Sequence, residues 1–120
     1  MDNTQTGKKF DLEERTLSFA KNVIDLIKKL PKNTVNFEIN SQVMRSAGST
    51  GANYREANDS LGQKDFFMRI RICRKEAKET KYWLELLLHN NPELKDLITP
   101  LINESSELIR IFSAILKKQV

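Results

Sequence analysis

Arg45, Ser49, Asn53 and Glu56 follow one another at four-, four- and three-residue steps. On an α-helix this spacing lines a guanidinium, a hydroxyl, an amide and a carboxylate along one flank. Two more carboxylates, Glu76 and Glu79, stand on a second helical stretch. Such groups could be assembled into a site, but proton transfer needs a group poised near neutrality, and this set contains none. The only histidine, His89, falls near the end of a helical pattern, where free carbonyls are its natural partners. The only cysteine, Cys73, falls on an apolar face, where cysteine behaves as a small hydrophobe. No Cys/His cluster has zinc spacing, no Gly-rich loop follows a strand, and no Glu-x-x-His pair suggests a di-iron bundle. The expectation is a protein that is not an enzyme and uses no cofactor or metal. Arg45, Ser49, Asn53, Glu56, Glu76 and Glu79 then form a structural polar motif, with Glu76 or Glu79 pairing with Arg45 or Arg69, because a carboxylate among apolar residues needs a partner. The alternative for Ser49, Asn53 and Glu56 is a flank that faces solvent.

The elements that must hold these residues are helices. Residues 1–10 are polar and aperiodic and read as a flexible tail, leaving residues 11–120 as one domain. From Asp11, a helical face of Leu12, Thr16, Phe19, Val23, Ile27 and Leu30 runs to a stop at Pro31. A second helix spans about Val35 to Ala57, with Ile39, Val43, Ala47, Thr50, Tyr54 and Ala57 along its seam. Gly48 and Gly51 fall beside that seam, on the side opposite the polar flank. A glycine costs a helix about 1 kcal/mol relative to alanine, so close approach of a neighbouring backbone is the reason to keep them. A third helix starts near Ser60 or Leu61 and ends at His89. "NNP" (Asn90 to Pro92) makes a turn into a fourth, whose face is Leu94, Leu97, Leu101, Leu108, Phe112 and Ile115. Pro100 lies inside the fourth and should kink it or split off a short leading helix. No strand alternation is present. The fold class is all-α, an antiparallel up-and-down four-helix bundle.

The third helix has three sectors. Phe66, Ile70, Cys73, Ala77, Leu84 and Leu88 form the expected core face. Met68, Ile72, Trp83 and Leu86 form a second apolar strip with Glu76 and Glu79 among them, which points to a subunit interface or else to partial burial at the bundle edge. Lys64, Arg71, Arg74, Lys75, Lys78 and Lys81, with Tyr82 and Glu85, fill the remaining sector. This cationic stripe can track the phosphates of RNA or DNA without reading sequence, the alternative being an ordinary solvated face. The net charge of +4 permits nucleic-acid contact without requiring it. The lone cysteine, the lack of a signal-peptide pattern and the lack of a membrane-spanning apolar run lead us to expect a cytoplasmic protein without a membrane partner.

Two stretches carry a resemblance. "RSAGSTGANYREA" (Arg45 to Ala57) and "KDFFMRIRICRKEAKETKYWLELL" (Lys64 to Leu87) resemble the four-helix bundle proteins encoded in intervening sequences of bacterial 23S rRNA genes. The family's Arg-Ser, Ser-x-Gly-x-Asn and Glu-Ala pattern matches Arg45, Ser46, Ser49, Gly51, Asn53, Glu56 and Ala57. Its Lys-Glu-Ala-x-Glu-Thr-x-Tyr-Trp-Leu matches Lys75, Glu76, Ala77, Glu79, Thr80, Tyr82, Trp83 and Leu84. Cys73-Arg74 and Thr50 depart from the commoner aliphatic residues. The resemblance implies a homopentameric bundle, and the family is similar in turn to the basic accessory variability determinant of diversity-generating retroelements, which works with a reverse transcriptase and nucleic acid. Two readings of function follow. One is a self-assembling bundle that binds RNA or DNA through the third helix. The other is a protein-binding scaffold or accessory subunit, for example of a reverse transcriptase, without direct nucleic-acid contact.

Overall fold

The computed structural model describes residues 3–119, and side chains from residue 12 onward. Four α-helices, α1 (Asn3–Lys29), α2 (Thr34–Asn58), α3 (Gln63–Asn90) and α4 (Lys95–Leu116), follow one another with a single 3-10 turn, Pro92–Leu94, ahead of α4. No strand occurs among the described residues. α1 begins ahead of the Asp11 start that the spacing predicts, so Glu13 and Glu14 sit in the body of the helix. The tail expected over 1–10 lies outside the described residues in Met1, Asp2 and the side chains that follow. Each helix packs on the next in chain order, α2 against α3 most extensively, and the ring closes through a thin α1–α4 contact. A helix of α3's length rises about 42 Å, which accounts for the long dimension of 45 Å.

The connections are short because their residues stop helices. Pro31 ends α1, and Asn33 caps α2, its side-chain oxygen accepting the Asn36 N–H at 2.9 Å. Pro100 neither splits α4 nor ends it. It stands six residues in, so the carbonyl it deprives of a partner is that of Asp96, an exposed residue at the helix start. The break falls instead at the 3-10 turn begun by Pro92.

The seam of α2 is buried throughout, as its spacing predicts. In the other helices most of the predicted face is buried, including Leu12, Thr16, Phe19, Val23 and Leu30 of α1, Ile70, Cys73, Ala77 and Leu84 of α3, and Leu101, Leu108 and Phe112 of α4, and the differences are local exchanges with a neighbouring residue. Leu26 is buried where Ile27 was expected, and Ile98 where Leu97 was expected; Leu97 is 40% exposed. In α3 the buried face holds Phe67, Ile70, Cys73, Glu76, Ala77, Thr80, Leu84 and Leu87. Phe66 and Leu88, expected in the core, pack at its margin. Glu76 and Thr80 face α2, so the buried face of α3 is partly polar and takes in Leu87, on their side, ahead of Leu88.

The two helical glycines have different roles. A Cβ on Gly51 would stand 3.1 Å from Thr16 Oγ1 and 3.3 Å from Thr16 Cβ, so Gly51 permits the approach of α1 to α2. A Cβ on Gly48 would meet nothing within 4 Å, and the close approach expected there does not occur. Gly48→Ala should therefore recover helix propensity and stabilise by about 0.5–1 kcal/mol. Gly51→Ala should recover less of it, and Gly51→Leu should lose about 1–3 kcal/mol by forcing α1 away. Thermal melts of the three variants check the order.

Candidate functional site

The α2–α3 interface is built around a largely buried carboxylate. Glu76 is 8% exposed, and taking such a charge from water requires a partner. Arg45, projecting from the facing turn of α2, supplies it with Nη1 at 3.1 Å from Glu76 Oε1. Its Nη2 binds Glu79 Oε1, the same oxygen that accepts the Trp83 indole N–H at 3.4 Å. Hydrogen bonding to Glu79 pushes the Arg45 pKa above its ordinary value against a desolvation penalty, so its charge is constant wherever the protein is folded.

Polar contacts continue in both directions from this cluster. Next to it, the buried hydroxyls of Ser46 and Thr80 lie 2.8 Å apart across the interface. Ser46 donates back to the Gln42 carbonyl at 2.9 Å. Toward the α2–α3 loop, Asn53 donates to the Ser49 carbonyl at 2.9 Å and hydroxyl at 3.0 Å. Its oxygen accepts from Arg69 Nη1 at 3.1 Å. Arg69 thus pairs with an amide and not with Glu76 or Glu79. At the opposite end, Asn36 and Asn91 are both 1% exposed. Asn36 Nδ2 donates to Asn91 Oδ1 at 2.9 Å and to the Pro31 carbonyl at 2.8 Å. Asn36 Oδ1 accepts from Asn90 and Asn91 at 2.9 and 2.8 Å. These bonds join the α1–α2 connection to the end of α3.

Of the polar motif, then, Arg45, Glu76 and Glu79 meet as one cluster and Ser49 and Asn53 as another. Glu56 is exposed, and its side chain joins neither. Asn36, Asn90 and Asn91 were missed because an amide in a first turn or a loop reads as a cap or a breaker; the three-asparagine coincidence appears only when the two ends of α2 and α3 are brought together. Ser46, Thr80 and Arg69 lay on stretches already singled out, but their partners were not legible.

The outer sector of α3 has the reverse character. Lys64, Arg71, Lys75 and Lys78 are exposed, and Arg74 and Lys81 are half-buried. Among the described residues none of the six forms an ion pair; Arg71 hydrogen-bonds the Gln119 side chain. Of the second apolar strip, Met68 is 42% exposed, and Ile72, Trp83 and Leu86 are half-buried. Trp83 and Leu86 also pack against the core.

A sequence profile of the 23S rRNA-intervening sequence protein family matches residues 8–114. The chain belongs to this family. A crystal structure of a protein of unknown function from the S23 ribosomal protein family of Bacteroides thetaiotaomicron VPI-5482 shares its fold. The two are 31% identical with a TM-score of 0.78, over 89% of this chain and 99% of the other. No functionally curated protein gives a significant match.

The remaining chemical groups of this intervening-sequence protein are sealed or scattered. Burial pushes the Cys73 thiol up to about 12 and also raises the Tyr54 phenol. His89 is exposed on the last turn of α3. The cleft between α1 and α4, about 250 Å³, is lined by Asn22, Asp25, Leu26, Lys29, Leu97, Pro100 and Leu101 and holds neither a thiol nor an imidazole. Among the described residues, no three His, Cys, Asp or Glu side chains gather as metal ligands would, and no helix is long and apolar enough to cross a membrane.

Two outcomes follow. Arg45→Ala strands Glu76 and should cost about 1–3 kcal/mol, less than a fully enclosed pair because the Arg45 side chain is half-exposed. The double variant Arg45→Met/Glu76→Leu, which removes both charges, should melt above Arg45→Ala in a denaturation series. For Cys73, the unfolded thiol ionises near 9.0 while the folded thiol keeps its proton to about 12. Stability should hold below pH 9 and fall as the pH rises toward 12, and Cys73→Ala should flatten part of that fall. At pH 8 the native thiol should resist alkylation that proceeds readily in denaturant.

Proposed function

We propose that this chain is a non-enzymatic, cytoplasmic helical bundle that associates with copies of itself and binds RNA or DNA without sequence preference through the outer sector of α3. The observation that carries the reading is the division of charge on α3. Glu76 and Glu79 are turned inward onto Arg45. Lys64, Arg71, Arg74, Lys75, Lys78 and Lys81 lie on one side of the helix and form no ion pair among the described residues. Unneutralised cations in a row release counterions from a phosphate backbone, which favours binding irrespective of base sequence.

Self-association is supported by the strip of Met68, Ile72, Trp83 and Leu86, which the fold leaves partly exposed. A pentamer is what the family resemblance suggests for such a strip. Assembly would repeat the cationic sector on every copy and raise its avidity for a long polyanion.

Anisotropy of labelled RNA and DNA across a salt series tests the proposal. The logarithm of the binding constant should fall linearly with the logarithm of salt, by about 0.7 per contacted phosphate on a single strand. Lys75→Glu/Lys78→Glu should weaken binding at low salt and reduce the slope by about 1–2. Absence of binding at low salt would favour the scaffold or accessory-subunit reading, in which the same cations meet an acidic protein. Sedimentation should show a species larger than one chain, and a single chain at high concentration would count against association.

A further inference from the structure

We infer that the ligand of the α3 sector is a single-stranded polynucleotide, and that Tyr82 is the surface on which one of its bases stacks. This rests on the polynucleotide reading above and adds to it a strandedness and a residue. Tyr82 is 56% exposed and lies within the cationic sector. Lys64, Arg71, Lys75, Lys78 and Tyr82 follow at steps of seven, four, three and four residues, which keeps them in one line along the helix. The line is about 27 Å long from Lys64 to Tyr82 at 1.5 Å per residue. It begins with cations and ends on a ring.

That ring is held. It meets Trp83 in a T-shaped arrangement, with centroids 5.2 Å apart and planes at 73°. Trp83 donates its indole N–H to Glu79, and Glu79 is bound by Arg45 of α2. Tyr82 is therefore backed by a chain of contacts that reaches the buried polar cluster, while more than half of its surface faces water. A restrained, open aromatic loses little freedom on binding. Phosphates satisfy the cations in either a duplex or a single strand, but a ring gains only from a base whose face is free. In a duplex those faces are occupied by the neighbouring base pairs; in a single strand they are available, and aromatic side chains beside cationic tracks bind them with little sequence preference.

The test uses the full chain with oligouridine, oligothymidine and a duplex of the same length, by anisotropy at low and moderate salt. Wild type should prefer both single strands to the duplex, and the RNA and DNA arms identify which strand it holds more tightly. Tyr82→Ala should weaken single-strand binding roughly 5- to 150-fold, with duplex binding and the salt slope unchanged. Tyr82→Phe should bind as wild type, and Tyr82→Leu, which keeps bulk without a stacking face, should resemble Tyr82→Ala. Melting temperatures of all three should stay near wild type because the ring is exposed. Equal loss on single strand and duplex, or no loss on either, overturns the stacking inference while salt-dependent binding leaves the polynucleotide reading intact. No binding of any probe at low salt overturns both.

Discussion

A buried carboxylate governs this bundle. Glu76 lies between α2 and α3 with little access to water, and the guanidinium of Arg45 compensates its charge. An apolar interface tolerates sliding by a turn with a modest change in buried area; a buried charge does not, because a one-turn slip would leave it unpaired at a cost of several kcal/mol. The Ser46–Thr80 contact and the Asn53–Arg69 bond fall in the same antiparallel register. The asparagine cluster at the far end repeats it. Four independent polar contacts along one interface thus agree on one alignment of the two central helices. We infer that specificity of alignment, more than net stability, is what this polar seam contributes.

The same pairing shapes the outside. Turning Glu76 and Glu79 toward α2 removes half of α3's acidic side chains from its outer surface, leaving Asp65 and Glu85 there. Although Glu85 stands four residues from Lys81, none of the six cations of the outer sector forms an ion pair among the described residues. The division between an acidic inner edge and a basic outer edge is therefore a consequence of how the interface is built. Trp83 sits on the boundary between the two, with its ring on the core, its N–H on Glu79 and Tyr82 beside it.

The outer helices are attached by different means. α1 reaches α2 through the Gly51–Thr16 approach and an Asn58–Glu13 hydrogen bond of 2.7 Å. It reaches α4 through the bidentate Arg15–Glu104 pair at 2.6 and 2.9 Å. The α1–α4 side is the thinnest contact of the bundle and the place where a cleft opens. Local opening should be easiest there, where few apolar side chains interlock.

The number of helices, their approximate limits, the seam of α2 and the family were all legible in the amino-acid sequence, because each depends on local signals: apolar residues at helical steps, prolines and asparagines between them, and two contiguous motifs. The partners of Arg45 were also within reach, since a carboxylate set among apolar residues must find a cation. Which of two adjacent apolar residues turns inward was not. Phe67 over Phe66, Leu87 over Leu88, Ile98 over Leu97 and Leu26 over Ile27 were decided only by packing. Neighbouring residues differ by 100° on a helix, so a broad apolar arc fits either choice, and the rotation is set by contacts with helices distant in the chain. Glu76 and Thr80 meet Arg45 and Ser46 of α2, and Asn36 meets Asn91 across 55 positions of sequence. No pattern local to either stretch encodes such meetings, and the tertiary structure alone settles them.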